Sequence, residues 1–288
     1  MSPLARRGFT LAELMIAIVF LGAIAAVVYR IMTTAQRVYR AQTQRIDLQQ
    51  NLRAAAAILP AELRVLNARD GDILAMASDS ITIRAMRLFA VSCDTPVLNG
   101  GAITGRTMVI RNSLTFGSRM LTAGDSVLLY YEGRPGSRTD DGWLRGRLTR
   151  DPMAARCAGP EPVAQARPGM RLTFDLVPLV PPQENRAGTV PLGAPVWGYE
   201  VTTYKLYRSP ADAQWYLGQR VASATLQPLL GPLVGKNGLT LEYYDSTGAP
   251  TSRPEDVAQI EIAVRGRTLE SAVDSLVMRV ALRNNRRF

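Results

Sequence analysis

Arg6-Arg7-Gly8-Phe9-Thr10-Leu11-Ala12-Glu13-Leu14, followed by the unbroken apolar run Met15 to Leu21, stands near the amino end and sets how the rest is built. From Leu14 to Tyr29 no residue is charged, and apolar character continues through Ile31 and Met32 with only Arg30 between. A helix of about 20 apolar residues crosses the hydrocarbon core of a bilayer. Phe9 to Tyr29 supplies 21 if Thr10 and Glu13 are tolerated. A carboxylate at such a depth costs about 2.5 to 3.5 kcal/mol on insertion scales, so Glu13 needs a functional reason and a partner.

A secretory signal has the same basic start and apolar middle, but its cut follows the apolar run. Ala23-Ile24-Ala25-Ala26 offers such a site, yet cutting there discards Glu13 and leaves the following helix without its anchor. The order of two arginines, glycine, phenylalanine, apolar span and embedded glutamate resembles the class III signal of type IV pilins and type II secretion pseudopilins. That resemblance covers about the first thirty residues. It implies cleavage by prepilin peptidase between Gly8 and Phe9, N-methylation of Phe9, and a role for Glu13 in filament assembly through the amino terminus of a neighbouring subunit. Pairing in low dielectric is far stronger than at a surface, so it can select a docking register. The plainer alternative is a snorkelling Glu13 paired with Arg6 or Arg7 near the membrane face.

Charge counting gives the opposite topology, since Arg30, Arg37, Arg40 and Arg45 outnumber Arg6 and Arg7. The signal implies a leader retained in the cytoplasm, and long domains translocate largely regardless of charge. The expected location is therefore a single pass through the inner membrane with the head in the periplasm, and then a pilus or pseudopilus at the cell surface.

Helical spacing continues past the membrane. Ile31, Ala35, Val38, Ile46, Gln49, Leu52, Ala56 and Leu59 follow steps of three and four with a polar gap near Gln42, while Arg37, Arg40, Gln44, Asp47, Gln50 and Arg53 take other faces. Pro60 is expected to end or kink this helix, with Ala61 to Leu66 as a short continuation. The period then changes to two. Ser80–Arg84, Thr107–Arg111, Ser126–Tyr131, Arg171–Leu176, Val196–Tyr207, Gln214–Val221, Leu239–Tyr244, Val257–Val264 and Leu276–Arg283 read as strands, with a turn at Asp245–Gly248 and an exposed loop at Pro181–Gly188. The fold class is α+β, a long N-terminal transmembrane and amphipathic helix packed on a mainly antiparallel pilin-like head. Its parts are a leader (1–8), a transmembrane helix (9–32), a periplasmic amphipathic helix (33–66) and a β-rich head (67–288).

Within the wider family, the chain resembles the larger minor pilins of the PilW type and the minor pseudopilins of type II secretion. The features are the basic, glutamine-rich helix from Arg37 to Leu52, Asp79-Ser80-Ile81-Thr82-Ile83-Arg84 opening the head, and the final strands from Leu239 to Asn284. A length of 288 residues fits a minor subunit better than a major one. Retention of Glu13 argues against the tip position, where that acid is usually missing.

Cys93 and Cys157 both lie in the head beside turn-forming residues, and they pair in a disulfide or stand apart as two thiols. The net charge is +10, and all basic residues except Lys205 and Lys236 are arginine. Nucleic acid is a partner that this bias leaves open without supporting it, the best patch being Arg283-Asn284-Asn285-Arg286-Arg287. With no histidine, the commonest general base and most zinc sites are gone. No cofactor or metal is called for, and Thr139-Asp140-Asp141-Gly142 is most simply a turn. The expected role is a minor pilin or pseudopilin that primes filament assembly, not an enzyme, with prepilin peptidase, other major and minor pilins or pseudopilins and the inner membrane as partners. A filament-displayed module for adhesion or DNA uptake is the first alternative. A membrane-anchored periplasmic hydrolase is the second.

Overall fold

One helix, α1, occupies Leu11–Arg64 without a break; at 1.5 Å per residue it is about 80 Å long. The computed structural model describes residues 10–95, 98–99, 102–103, 107–133, 141–157, 167–176, 190–268 and 272–282. The expected loop at Pro181–Gly188 and the arginine-rich patch at 283–287 lie outside them. Pro60 sits inside α1 and does not end it. Leu59 and Leu63, on either side of the ring, are 2% and 0% exposed. Burying two leucines contributes about 3 to 6 kcal/mol, enough to offset the roughly 3 kcal/mol that proline costs within a helix.

The buried stripe also differs in phase from the expected one. Leu48, Leu52, Ala55, Leu59 and Leu63 face the head, whereas Ile31, Ala35, Val38, Ile46, Gln49 and Ala56 are exposed. Only Leu52 and Leu59 belong to both sets. The earlier apolar positions have no sheet beneath them, so the polar gap near Gln42 separates a free rod from a seated segment.

The strands are β1 (Ile73–Ala77), β2 (Ser80–Val91), β3 (Leu98–Asn99), β4 (Ala102–Ile103), β5 (Thr107–Arg111), β6 (Phe116–Gly117), β7 (Ser126–Tyr131) and β8 (Gly142–Leu148). They continue as β9 (Met153–Arg156), β10 (Pro168–Leu176), β11 (Pro195–Arg208), β12 (Trp215–Val221), β13 (Gln227–Leu233), β14 (Leu239–Tyr244), β15 (Gln259–Arg267) and β16 (Val273–Ala281). All nine expected strands overlap one of these, and the head is mostly antiparallel sheet. Asp245 makes the expected turn by accepting the Thr247 and Ala249 N–H groups, with Gly248 at φ 85°.

The sheet runs in the order β14-β15-β13-β12-β11-β7-β8-β10-β5. Its spine is β11, which pairs with β2 along one side and shares the other between β12 and β7. Two cores result. Helix α1 covers the first, against Ile81, Ile83, Tyr204, Leu217, Ile260 and Ile262. The second holds Leu88, Ala90, Val127, Leu129, Phe174 and Val196. Between them β2 gains one residue: Met86 pairs with Tyr199 and Leu88 with Gly198, leaving Arg87 as a bulge. Because of that extra residue, Ile83 and Leu88 fall on the same face. Close approach of α1 to β15 depends on Gly266, where an added Cβ would lie 2.2 Å from Leu48 Cδ1.

Candidate functional site

Gly8 and Phe9 lie outside the described residues, so the amino-terminal site is seen from Thr10 onward. Thr10 is the N-cap of α1 and forms a capping box with Glu13. The Glu13 N–H donates to Thr10 Oγ1 at 3.3 Å, while the Thr10 N–H and hydroxyl both donate to Glu13 Oε2 at 3.0 Å. A Ser/Thr-x-x-Glu signature before an apolar run marks such a helix start in sequence. The carboxylate thus satisfies its own helix end through one oxygen. Beyond it, Met15, Val19, Phe20, Ile24, Val27 and Ile31 are all more than half exposed. The segment is long and apolar enough to cross a membrane, a property that an anchor and an amino-terminal signal share.

In the head, Cys93 and Cys157 form a disulfide with S–S 2.04 Å and Cα–Cα 5.2 Å. It joins the segment after β2 to the end of β9, and the two backbones are further held by Cys93 N–H to Val109 O and Cys157 N–H to Arg167 O, both 2.9 Å. Asp141 accepts the Tyr130 hydroxyl at 2.8 Å and the Gly133 N–H at 3.0 Å. Among the described residues, no three His, Cys, Asp or Glu side chains gather to hold a metal ion.

A cavity of about 920 Å³ opens where the end of α1 meets β2 and β6. The bulge residue Arg87 forms its inner wall, and donates Nη1 to both carboxylate oxygens of Glu62 at 2.7 and 3.0 Å and Nε to Glu200. Glu200 also meets Arg119 Nη2 at 3.2 Å, and Arg119 grips Asp125 at 2.6 and 2.8 Å. The result is a chain of alternating charges from the last turns of the helix across the sheet. On the other side of the cavity, Asp72 is 3% exposed. Its Oδ2 accepts the Asn67 N–H at 2.9 Å, but Oδ1 has no hydrogen bond, and Arg84 Nη1 stands 3.7 Å away. Burial raises the Asp72 carboxyl to about 6 in spite of the Asn67 N–H and the Arg84 charge.

Register places aromatic side chains along the floor. Phe116 pairs with Phe89, Phe89 with Trp197, and Trp197 with Leu128, one row on one face across β6, β2, β11 and β7. Trp143 of β8 lines the same cavity. The Phe89 and Trp197 rings are 4.8 Å apart and tilted by 56°. No sequence signal marked this row, because residues 89, 116, 143 and 197 meet only through strand register. No family model, curated protein or solved structure matches the chain.

Proposed function

We propose that the chain is a minor pilin or pseudopilin subunit, matured by prepilin peptidase at Gly8-Phe9 and built into a type IV pilus or type II secretion pseudopilus to promote filament assembly. The observation that carries this reading is the uncovered apolar rod. From Leu11 to Met32 the helix buries nothing against its own head, and Glu13 is the one charge before Arg30. Exposed apolar surface of that extent is unstable in water, so it requires lipid or other helices of the same character. Lipid holds the subunit before assembly, and neighbouring rods replace lipid after it. Glu13 supplies the charge that pairs with the amino terminus freed at Phe9 on an adjacent subunit.

The head serves as the outward-facing part, carried in the periplasm by α1 and stiffened by the disulfide and the Glu62–Arg87–Glu200 chain. Amino-terminal sequencing of protein recovered from its native membrane tests the proposal. A start at an N-methylated Phe9 is expected. An intact Met1, or a start near residue 26, overturns it.

A further inference from the structure

The cavity beside the helix end is unused by filament assembly as described above. We propose that it is a binding site for a carbohydrate chain, with sugar rings lying on the Phe89–Trp197 pair and sugar hydroxyls donating to the acidic and amide groups at its edge.

The aromatic row is the first argument. The row from Phe116 through Phe89 and Trp197 to Leu128 crosses four adjacent strands, about 14 Å at the usual strand spacing. Phe116, Phe89 and Trp197 line the cavity together, the last two tilted by 56° to each other, so the strip offers apolar carbon contact along its length. The rings belong to strands, so the platform is preformed and little ordering cost falls on binding. In the head, the two cations over aromatic faces are Arg84 on Tyr199 and Arg279 on Tyr244 among the described residues, and neither covers this row.

Charge is the second argument. Glu62, Asp70 and Asp72 line the cavity with one cation, Arg87, and its hydrogen bonds go to Glu62 and Glu200. Among the described lining residues a phosphate chain therefore meets three carboxylates and one cation that is already paired, although the protein as a whole carries +10. The arginine excess gives no reason to seat nucleic acid here. What remains is acceptor capacity beside an apolar floor: Asp70 is exposed and Asn67 is half-buried in the cavity lining. A ligand with a flat C–H face and many neutral O–H donors matches both halves. Sugar chains have that composition. The volume lies within the range that holds small ligands.

The test is isothermal titration of the full chain in detergent with cellohexaose, chitohexaose, laminarihexaose and maltohexaose, each up to about 10 mM so that a millimolar Kd is registered. A proline-rich decapeptide and a single-stranded DNA 12-mer are run alongside. At least one hexasaccharide is expected to bind, with affinity falling tenfold or more in Trp197→Ala and about threefold in Phe116→Ala. Phe116 is 61% exposed, so its removal leaves the cores intact and gives a readout even if Trp197→Ala fails to fold. Absence of binding by all four sugars overturns the proposal, as does sugar binding that both variants retain. Binding of only the peptide or the DNA with loss in Phe116→Ala also overturns it and assigns the cleft to that other class.

Discussion

Arg87 Nη1 lies 2.7 and 3.0 Å from the two carboxylate oxygens of Glu62, so the bulge in the second strand is tied to the last turns of the helix. Both side chains are largely withdrawn from water, at 13% and 21% exposure. Removing one partner of such a pair leaves the other's charge uncompensated. Arg87→Ala should cost about 3 kcal/mol, because Glu62 then loses its cation and Glu200 keeps only Arg119. Glu62→Gln should cost less, on the order of 1 kcal/mol, since the amide oxygen still accepts. Urea unfolding of the detergent-solubilised chain measures both, and equal losses would contradict this ordering.

Asp72 should make stability fall as pH rises through the acid range. Its folded value of about 6 lies above the ordinary 3.8, so the native state holds this proton more tightly. The contribution is complete below the unfolded value and is lost as pH climbs through 6. The span corresponds to on the order of 3 kcal/mol. Asp125, which burial pushes up but its bonds from Arg119 and Thr122 bring below its ordinary value, runs the other way. The readout is therefore the difference between wild type and Asp72→Asn: it should grow between pH 4 and pH 6, and parallel stability curves would count against the assignment.

Gly117 has no room for a side chain. A Cβ there would sit 2.3 Å from the Arg87 carbonyl oxygen, a backbone atom that cannot turn aside. Gly117→Ala should push β6 off β2 and cost about 1 to 3 kcal/mol. Amide exchange at Leu88 and Ser118 should accelerate while exchange in β12 and β15 stays slow. Uniform acceleration would show that β6 is not a separate unit.

Glu13 has a local role through Thr10 and a proposed one through a neighbour, and two substitutions separate them. Glu13→Gln keeps a capping acceptor and loses the charge. Thr10→Ala keeps the charge and loses the cap, at about 1 kcal/mol of helix stability. Filament incorporation should collapse in Glu13→Gln and fall only modestly in Thr10→Ala, with both still processed at Phe9. The reverse ranking, scored by immunoblotting of sheared filaments, would reduce the carboxylate to a helix cap.

The bridge between Cys93 and Cys157 spans 64 residues. In the chain-entropy account, closing such a loop contributes about 4 kcal/mol. Replacing both cysteines by serine should lower the melting temperature of the head, and reductant should have no further effect on the variant.

The sequence made the rod and nine strands legible because their periods are clean: sixteen uncharged residues in succession, then alternation in Val, Ile, Thr and Tyr. Strands of other composition were hidden. In Ile73-Leu74-Ala75-Met76-Ala77 the last four residues favour helix, and the segment does not alternate in burial. Gly142–Leu148 has two glycines, Met153–Arg156 is half alanine, and Gln227–Leu233 contains two prolines. Each is held by its neighbours in the sheet and not by its own propensity. Pro60 misled in the opposite sense, because a local rule was outweighed by the two leucines beside it. The aromatic floor was illegible for a different reason: one inserted residue at Arg87 sets which side chains share a face, and nothing local in the sequence announces it.

Because the buried side chains of α1 begin at Leu48, the seat is roughly 25 Å long at 1.5 Å per residue. Tension applied at the far tip of the rod enters the head there, as shear along a strip of leucines with the Glu62–Arg87 pair as its last fastening. The cystine crosslink lies past that fastening. It guards the distal lobe against unravelling while leaving the joint itself to slip or hold according to how well five buried side chains grip.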